Sequence, residues 1–586
     1  MNIVITAEGI VSAIGNSEAE VVEALRSRKS GIGEMQYLQS KHKELPVGEV
    51  KMSNSEMKTE LGIPQTEEVS RTSLMGIMAI RQFADSLPEK NGSDSTRIVL
   101  ISGTTVGTMD ITERHFNNIL EEQDLSFLKY HGCGGSSLRI ADYFGCFTDV
   151  TTVSTACSSA ANAILLGANM IKAGKADVVV AGGSESLSRF HLNGFNSLMI
   201  LDKERCRPFD DTRAGLNLGE GAAFVVLESE EHARKRGAEI HAYLAGYGNA
   251  CDAFHQTASS DNGEGAYLAM TEALTMAGLQ PGDIQYVNAH GTGTPNNDQS
   301  EGVALKRVFG ENMPLVSSTK SFTGHTTSAS GGIETVICLL AMKYGFVPEN
   351  LGWQNKIEDG IIPTLGVDDA NLDNVVCNSF GFGGNDTSLI LSKNKPVEST
   401  AVYSPDMKIK VLSKVEITSD DELAEIRKYV KPLAARRMGR LMKSSLLSSL
   451  KALEQAGVEM PDAVITGTAY GCLENTERLL NQINAENEES ISPTYFMQST
   501  HNTIGSNIAI KLGCHGYNST YSQRGDSLDW AIKDAELLIR SGRCKTVLVG
   551  CHDESTPTLM GMLSRINVPY FSTPVHSIAM VLSCGE

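Results

Sequence analysis

The stretch VSTACSSAANAI, running from Val153 to Ile164, decides how this chain is read. A β-branched run from Val150 to Thr155 predicts a buried strand that breaks into tiny residues and opens a helix near Ser158. Cys157 then sits where a helix N-terminus presents its dipole and its unpaired N–H groups. That setting predicts a lowered thiol pKa and an approachable nucleophile. The same junction also suits a small buried cysteine in an ordinary α/β unit, so the rest of the chain must discriminate.

Two later windows do so. In YVNAHGTGTP a strand predicted over Ile284 to Ala289 ends at His290 in a Gly/Thr turn. In LVSSTKSFTGHTTSASGGIETVICLLAM a strand ends near Ser318, a loop carries Lys320 and His325, and small residues lead into an apolar helix. One cysteine, one lysine and two histidines thus fall where apolar strand gives way to a Gly/Ser/Thr loop. In open α/β sheets such loops gather at the ligand-binding edge.

With these residues in view, TACSS, NAHGTGTPNND, SSTKSFTGH and CNSFGFGGNDTSLIL resemble the motif set of β-ketoacyl-acyl-carrier-protein synthases, most like the type II synthases. RPFDDTRAGLNLGEGAAFVVLE, from Arg207 to Glu228, is similar to that family as well, and the resemblance spans roughly residues 1–394. It implies an α/β, thiolase-like, five-layered α-β-α-β-α fold, with a nucleophile half over 1–235 and a histidine half over 236–394. It implies that Cys157 takes an acyl chain from a carrier thioester and that His290 and His325 donate hydrogen bonds to a malonyl thioester. A decarboxylating Claisen condensation would follow. The N–H groups of Cys157 and Phe382 would form the oxyanion hole, and Lys320, paired with Glu334, would be an electrostatic anchor. Thr292 and Thr294 would hold the pantetheine arm. Phe382 would gate the acyl pocket, or else be a core aromatic beside a glycine turn. Thiolases, which share the fold, carry a Cys-Gly-x-Gly motif where this chain has FGFGGND; Cys377, just upstream on a predicted strand, reads as structural. The resemblance implies no metal and no diffusible cofactor, since 4'-phosphopantetheine arrives on acyl carrier protein with the malonyl and acyl thioesters.

Composition agrees. The chain has 586 residues, 41% hydrophobic and 20% charged, enough for several domain-sized units of ordinary globular protein. Its 12 cysteines form no CxxC pair, which argues against a zinc site or a disulfide framework. The start MNIVITAEGI reads as a strand and not as a secretory leader. No apolar run approaches the roughly 18 residues of a membrane span. A cytoplasmic enzyme is expected. The formal charge of −20 argues against nucleic acid as the partner. It also means that an acidic carrier protein needs a local basic patch; Lys203, Arg205, Arg207 and Arg213 are candidates, with a plain solvated cluster as the alternative.

Beyond Ser392, residues 395–407 read as a linker, and 408–586 read as an internal repeat. ISGTTVGTMDITER, from Ile101, matches ITGTAYGCLENTER, from Ile465, at seven of fourteen positions. ANAILLGANMIKAGKADVVVAGG, from Ala161, aligns with DWAIKDAELLIRSGRCKTVLVGC, from Asp529. In that alignment Cys157 falls on Gly525, and His501, His515, His552 and His576 lie outside any NAHGT or TGH context, so this copy is expected to be catalytically inactive. It resembles a chain-length factor, the inactive companion of ketosynthases, of the short kind found in aryl polyene and flexirubin systems. It is expected to dock in cis on residues 1–394 as a pseudo-dimer partner, with homodimerisation or a domain swap left open. Phe496, Met497 and Thr503, in SPTYFMQSTHNTIGSN, are the candidate floor of the acyl tunnel, with ordinary interface packing as the alternative. The expected activity is acyl condensation, in a polyene or polyketide-type pathway or in ordinary fatty acid elongation with a structural tail. A non-catalytic acyl-binding scaffold is disfavoured by the intact Cys157, His290, Lys320 and His325.

Overall fold

The computed structural model describes residues 1–88, 96–396, 403–566 and 573–585; residues 397–402 of the expected linker lie outside them. A single fifteen-stranded ribbon of sheet resolves into three five-stranded units joined at narrow seams. The first unit, starting from the seam with the tail, has strands Asp149–Val153, Ile98–Gly103, Val178–Glu185, Gly221–Ser229 and Ile3–Ser12. The second repeats that order with Leu315–Ser317, Tyr286–Asn288, Asn374–Gly381, Asn385–Ser392 and Ala242–Cys251. The third does so again with Tyr517–Tyr521, Ala463–Gly467, Thr546–Glu554, Val575–Cys584 and Ile409–Ile417. Within each unit the first three strands are parallel, the fourth runs antiparallel to the third, and the fifth antiparallel to the fourth. Sequence-distant segments thus adopt one topology three times, and the tail repeats the unit that carries Cys157.

The layering follows from burial. The parallel strands are apolar on both faces, as VVVAGGSE over Val178–Glu185 illustrates, and so require helices on each side. Helices Ser159–Lys172 and Ser330–Tyr344 fill the space between the first two sheets. Arg71–Arg81 covers the outside of the first sheet, and Glu264–Ala277 with Pro295–Phe309 covers the outside of the second. These are the five layers of a thiolase-like fold. In the tail, Ser527–Arg540 lies on the inner side and Arg440–Ala456 on the outer. The strand predicted over Ile284 to Ala289 is shorter, Tyr286–Asn288, and Ala289 N–H still donates to the Ser317 carbonyl at 2.9 Å just beyond its end.

The tail meets the body about a pseudo-two-fold axis. Val153 pairs with Tyr521, and these two residues are each other's counterparts in the repeat. Around them the hydrogen bonds are reciprocal: Ser154 N–H donates to the Thr520 carbonyl at 2.8 Å, and Ser522 N–H to the Thr152 carbonyl at 3.0 Å. The following turn is duplicated too. Thr155 N–H bonds the Ser159 hydroxyl and Gln523 N–H the Ser527 hydroxyl, both at 2.9 Å. Ala156 and Arg524 hold left-handed φ values of 52° and 50°. Such a conformation costs a non-glycine residue about 1–2 kcal/mol, so both copies keep a strained turn, although only one still presents a thiol.

Candidate active site

The strained turn at Ala156 lifts Cys157 off the end of its strand and onto the start of the inner helix, facing two loops of the second unit. His325 Nε2 lies 3.0 Å from Cys157 Sγ, and His325 Nδ1 lies 3.1 Å from the Ser330 hydroxyl, which fixes the ring. The His290 and His325 rings are 5.3 Å apart and nearly perpendicular. Lys320 Nζ lies 3.3 Å from His290 Nδ1, 2.5 Å from the His290 carbonyl and 2.5 Å from Glu334 Oε1. An ammonium can only donate, so His290 Nδ1 accepts and its proton is assigned to Nε2, the atom turned toward the site. The sulfur and the two histidine nitrogens that face it all lie within 4.8 Å of one another.

Electrostatics correct one expectation. Burial pushes the Cys157 thiol up to about 11, opposed by the Phe382 N–H and the Lys320 ammonium, rather than down as its helix position predicts. Loss of water costs the thiolate more than the dipole returns. Burial, assisted by Lys320, holds both His290 and His325 well below their ordinary range, so both imidazoles are neutral. Burial also raises the Glu334 carboxyl to about 7, against the pull of Lys320. Cysteine and two histidines are zinc-type donors, but a second cation here would meet the Lys320 ammonium at hydrogen-bonding distance from His290.

The sequence profile of the β-ketoacyl synthase N-terminal domain matches residues 1–233, and that of the C-terminal domain matches 241–354. The chain belongs to the β-ketoacyl synthase family. A second β-ketoacyl synthase N-terminal profile matches residues 412–586, which is the repeat. The 3-oxoacyl-[acyl-carrier-protein] synthase 2 of Vibrio cholerae is 32% identical over 411 residues, covering 67% of this chain and 99% of that protein. A solved ketosynthase (ApeO) in complex with its chain length factor (ApeC), from Xenorhabdus doucetiae, is 32% identical with a TM-score of 0.58, covering 67% of this chain and 98% of that one. A PfaC keto synthase-chain length factor shares the fold over 100% of this chain and 78% of its own, with a TM-score of 0.79 at 16% identity.

The remaining predicted residues of this β-ketoacyl synthase fall as follows. Phe382 follows Gly381, whose added Cβ would lie 3.3 Å from the Cys157 nitrogen, so the glycine loop presses on the nucleophile turn. Phe382 stacks on Phe195 with ring centroids 5.6 Å apart. Thr292 and Thr294 are buried side by side, their hydroxyls 2.9 Å apart. Cys377 is buried in its strand, away from the reacting groups. Phe496 is 2% exposed, 5.2 Å from Phe195 and 6.0 Å from Phe190, and its ring lies over Gly194. Its two companions do not join it. Met497 receives the Thr257 hydroxyl at 3.8 Å, and Thr503 spends its hydroxyl on Thr500 and on the Met497 carbonyl. Of the four proposed docking cations, Arg207 is paired with Glu204 and Asp202, and Arg213 with buried Asp298.

Three contributors escaped sequence reasoning. Glu301 accepts the N–H groups of His290 and Gly291 at 2.8 and 2.7 Å and so shapes the histidine turn. Phe195 bridges Phe382 and the tail's Phe496. Asn502, in the tail, donates to the Phe382 carbonyl at 2.7 Å. No motif in the sequence marks any of the three.

Proposed function

We propose that this β-ketoacyl synthase joins a malonyl unit to a Cys157-bound acyl chain with loss of carbon dioxide. In this reading the tail serves as a chain-length partner in cis, within a polyene or polyketide-type pathway. The observation that carries the reading is the convergence of Cys157, His290 and His325, with Phe496 of the tail one ring away from the gate. Residues 1–235 supply the nucleophile, 236–394 the histidines, and 408–586 the partner surface.

In the loading step the Cys157 sulfur attacks the carbonyl of an acyl thioester. Its proton passes to the departing pantetheine sulfur, while His325 Nε2–H, 3.0 Å away, steadies the charge that develops on the cysteine sulfur. A thiol near 11 is formed into a thiolate only as it reacts. In the second step the neutral imidazoles of His290 and His325 donate to the malonyl thioester oxygen. The bond to the carboxylate breaks, carbon dioxide departs, and the electron pair becomes an enolate. Its carbon attacks the acyl group on Cys157, the oxyanion rests on the N–H groups of Cys157 and Phe382, and the cysteine sulfur leaves as a thiolate and takes up a proton from water. Fixed donors of this kind are each worth about 3 kcal/mol. Thr292 and Thr294, whose hydroxyls lie 2.9 Å apart, take the pantetheine arm of an acyl carrier protein in this reading. The strand edge beside Cys157 that could pair with a second chain is here paired in cis.

Cys157→Ala should abolish the acyl adduct seen by intact mass while sparing malonyl decarboxylation. His290→Ala should slow carbon dioxide release by roughly a hundredfold or more. Release at full rate from His290→Ala would overturn the assigned role.

A further inference from the structure

Between the tail helices Leu473–Ala485 and Pro493–Met497, a short loop reaches across to the body and offers it one buried carboxylate. Asn487 and Glu488 hold left-handed φ values of 47° and 66°, a conformation that non-glycine residues avoid unless surrounding contacts demand it. Glu488, 5% exposed, accepts the Ser40 hydroxyl, the Arg189 Nε–H at 2.8 Å and the Asn193 side-chain amide at 3.0 Å. Its backbone carbonyl lies 3.0 Å from His42 Nε2. Burial works against the charge, but the bonds from Ser40, Asn193 and Arg189 hold the carboxyl below its ordinary range. The next residue makes the contrast. Glu489 pairs with Lys41 where the two side chains are 67% and 41% exposed, and an ion pair so well solvated contributes little.

Arg189 and Asn193 belong to the body helix Arg189–Ser197, which also carries Phe190, Gly194 and Phe195. Phe190 and Phe195 pack on Phe496, whose ring presses on Gly194. Phe195 continues to Phe382 and, edge-on at 6.4 Å, to the ring of His325. The helix that Glu488 grips therefore also reaches the catalytic histidine. Its counterpart in the tail is met differently. Helix Pro557–Arg565 follows the equivalent strand, and its fifth residue, Gly561, stands where Asn193 stands. Against Gly561 the body sets an apolar side chain: a Cβ added there would meet Leu120 at 2.7 Å. The carboxylate faces the unit that holds Cys157, and the leucine faces the unit where Gly525 replaces it. We propose that Glu488 is a specificity-determining positioning residue, which fixes the depth of the acyl pocket by holding helix Arg189–Ser197 against Phe496. That the guest is an acyl chain rests on the condensing reading, and the test measures pocket depth without it.

The readout is the rate at which Cys157 is alkylated by N-alkyl iodoacetamides of increasing length, from ethyl to hexadecyl, followed by peptide mass at one fixed pH. Wild type should show a length beyond which labelling falls steeply. Glu488→Gln and Arg189→Gln should each blur that limit, raising the ratio of long-chain to ethyl labelling by roughly fivefold or more. The double variant should do no more than the larger single, because both changes break one contact. Glu489→Gln should match wild type, and thermal unfolding certifies the fold of each variant. An unaltered length profile in both single variants, a uniform change at every length, or effects that add in the double variant would overturn the proposal. A shifted profile in an enzyme that forms no condensation product from malonyl and acyl carrier protein would uphold the role of Glu488 and count against the condensing reading alone.

Discussion

Phe496→Ala tests whether the tail walls off the acyl chain. The ring is buried against Phe190 and Phe195 and rests on Gly194, where an added Cβ would come within 2.2 Å of it. Truncating a buried phenylalanine costs about 3–5 kcal/mol, so Phe496→Leu, at about 1 kcal/mol, is the companion that keeps the fold. Behind the ring lies an apolar cavity of about 380 Å³ between body and tail, to which Phe190 contributes along with Leu480, a core neighbour of Phe496. Removing the ring opens the site toward this space, so the chain can lengthen by one or more extension units before it is blocked. The assay is mass analysis of carrier-bound products after exhaustive extension, alongside thermal unfolding. Product lengths identical to wild type in both variants, with unfolding showing an intact tail, would refute the floor assignment.

Two further outcomes follow from the buried charges. Because burial raises the Cys157 thiol to about 11, its alkylation by iodoacetamide should keep accelerating above pH 9, where an ordinary thiol has levelled off; a plateau near pH 8.5 would contradict the assignment. Lys320→Met leaves Glu334 buried without its partner, a loss of about 3–5 kcal/mol while the carboxylate is charged. A carboxyl whose folded pKa is raised, here to about 7 even beside Lys320, destabilises progressively as pH climbs above its unfolded value. The drop in melting temperature should therefore be larger at pH 8 than at pH 6, and an equal drop at both would sink the argument.

Much of the site was legible in the sequence because its chemistry sits in contiguous signatures. TACSS and the loops around His290 and His325 each combine a reactive side chain with the small residues its close packing demands. The repeat was legible because Gly107 and Gly471 hold equivalent left-handed turns at the ends of equivalent strands. What stayed hidden depends on partners far along the chain. The direction of the Cys157 shift is decided by exclusion of water, which a local helix argument does not contain. Arg207 and Arg213 looked available until their carboxylates were placed. Thr503 shares a segment with Phe496, but the helix start at Thr503 turns its hydroxyl back on its own turn. Asn502 reaches Phe382 only because the tail folds over the loop that carries it.

The reciprocal hydrogen bonds around Val153 and Tyr521 close the assembly within one covalent chain. In a condensing enzyme built from separate subunits, dilution dissociates the pair and other subunits compete for the same edge. Tethering makes that encounter first order and insensitive to total protein. It also sets Cys157 against a half-copy that carries Gly525 at the equivalent position. The two halves are therefore inherited together, and mutations in the tail act on the neighbour to which it is covalently joined.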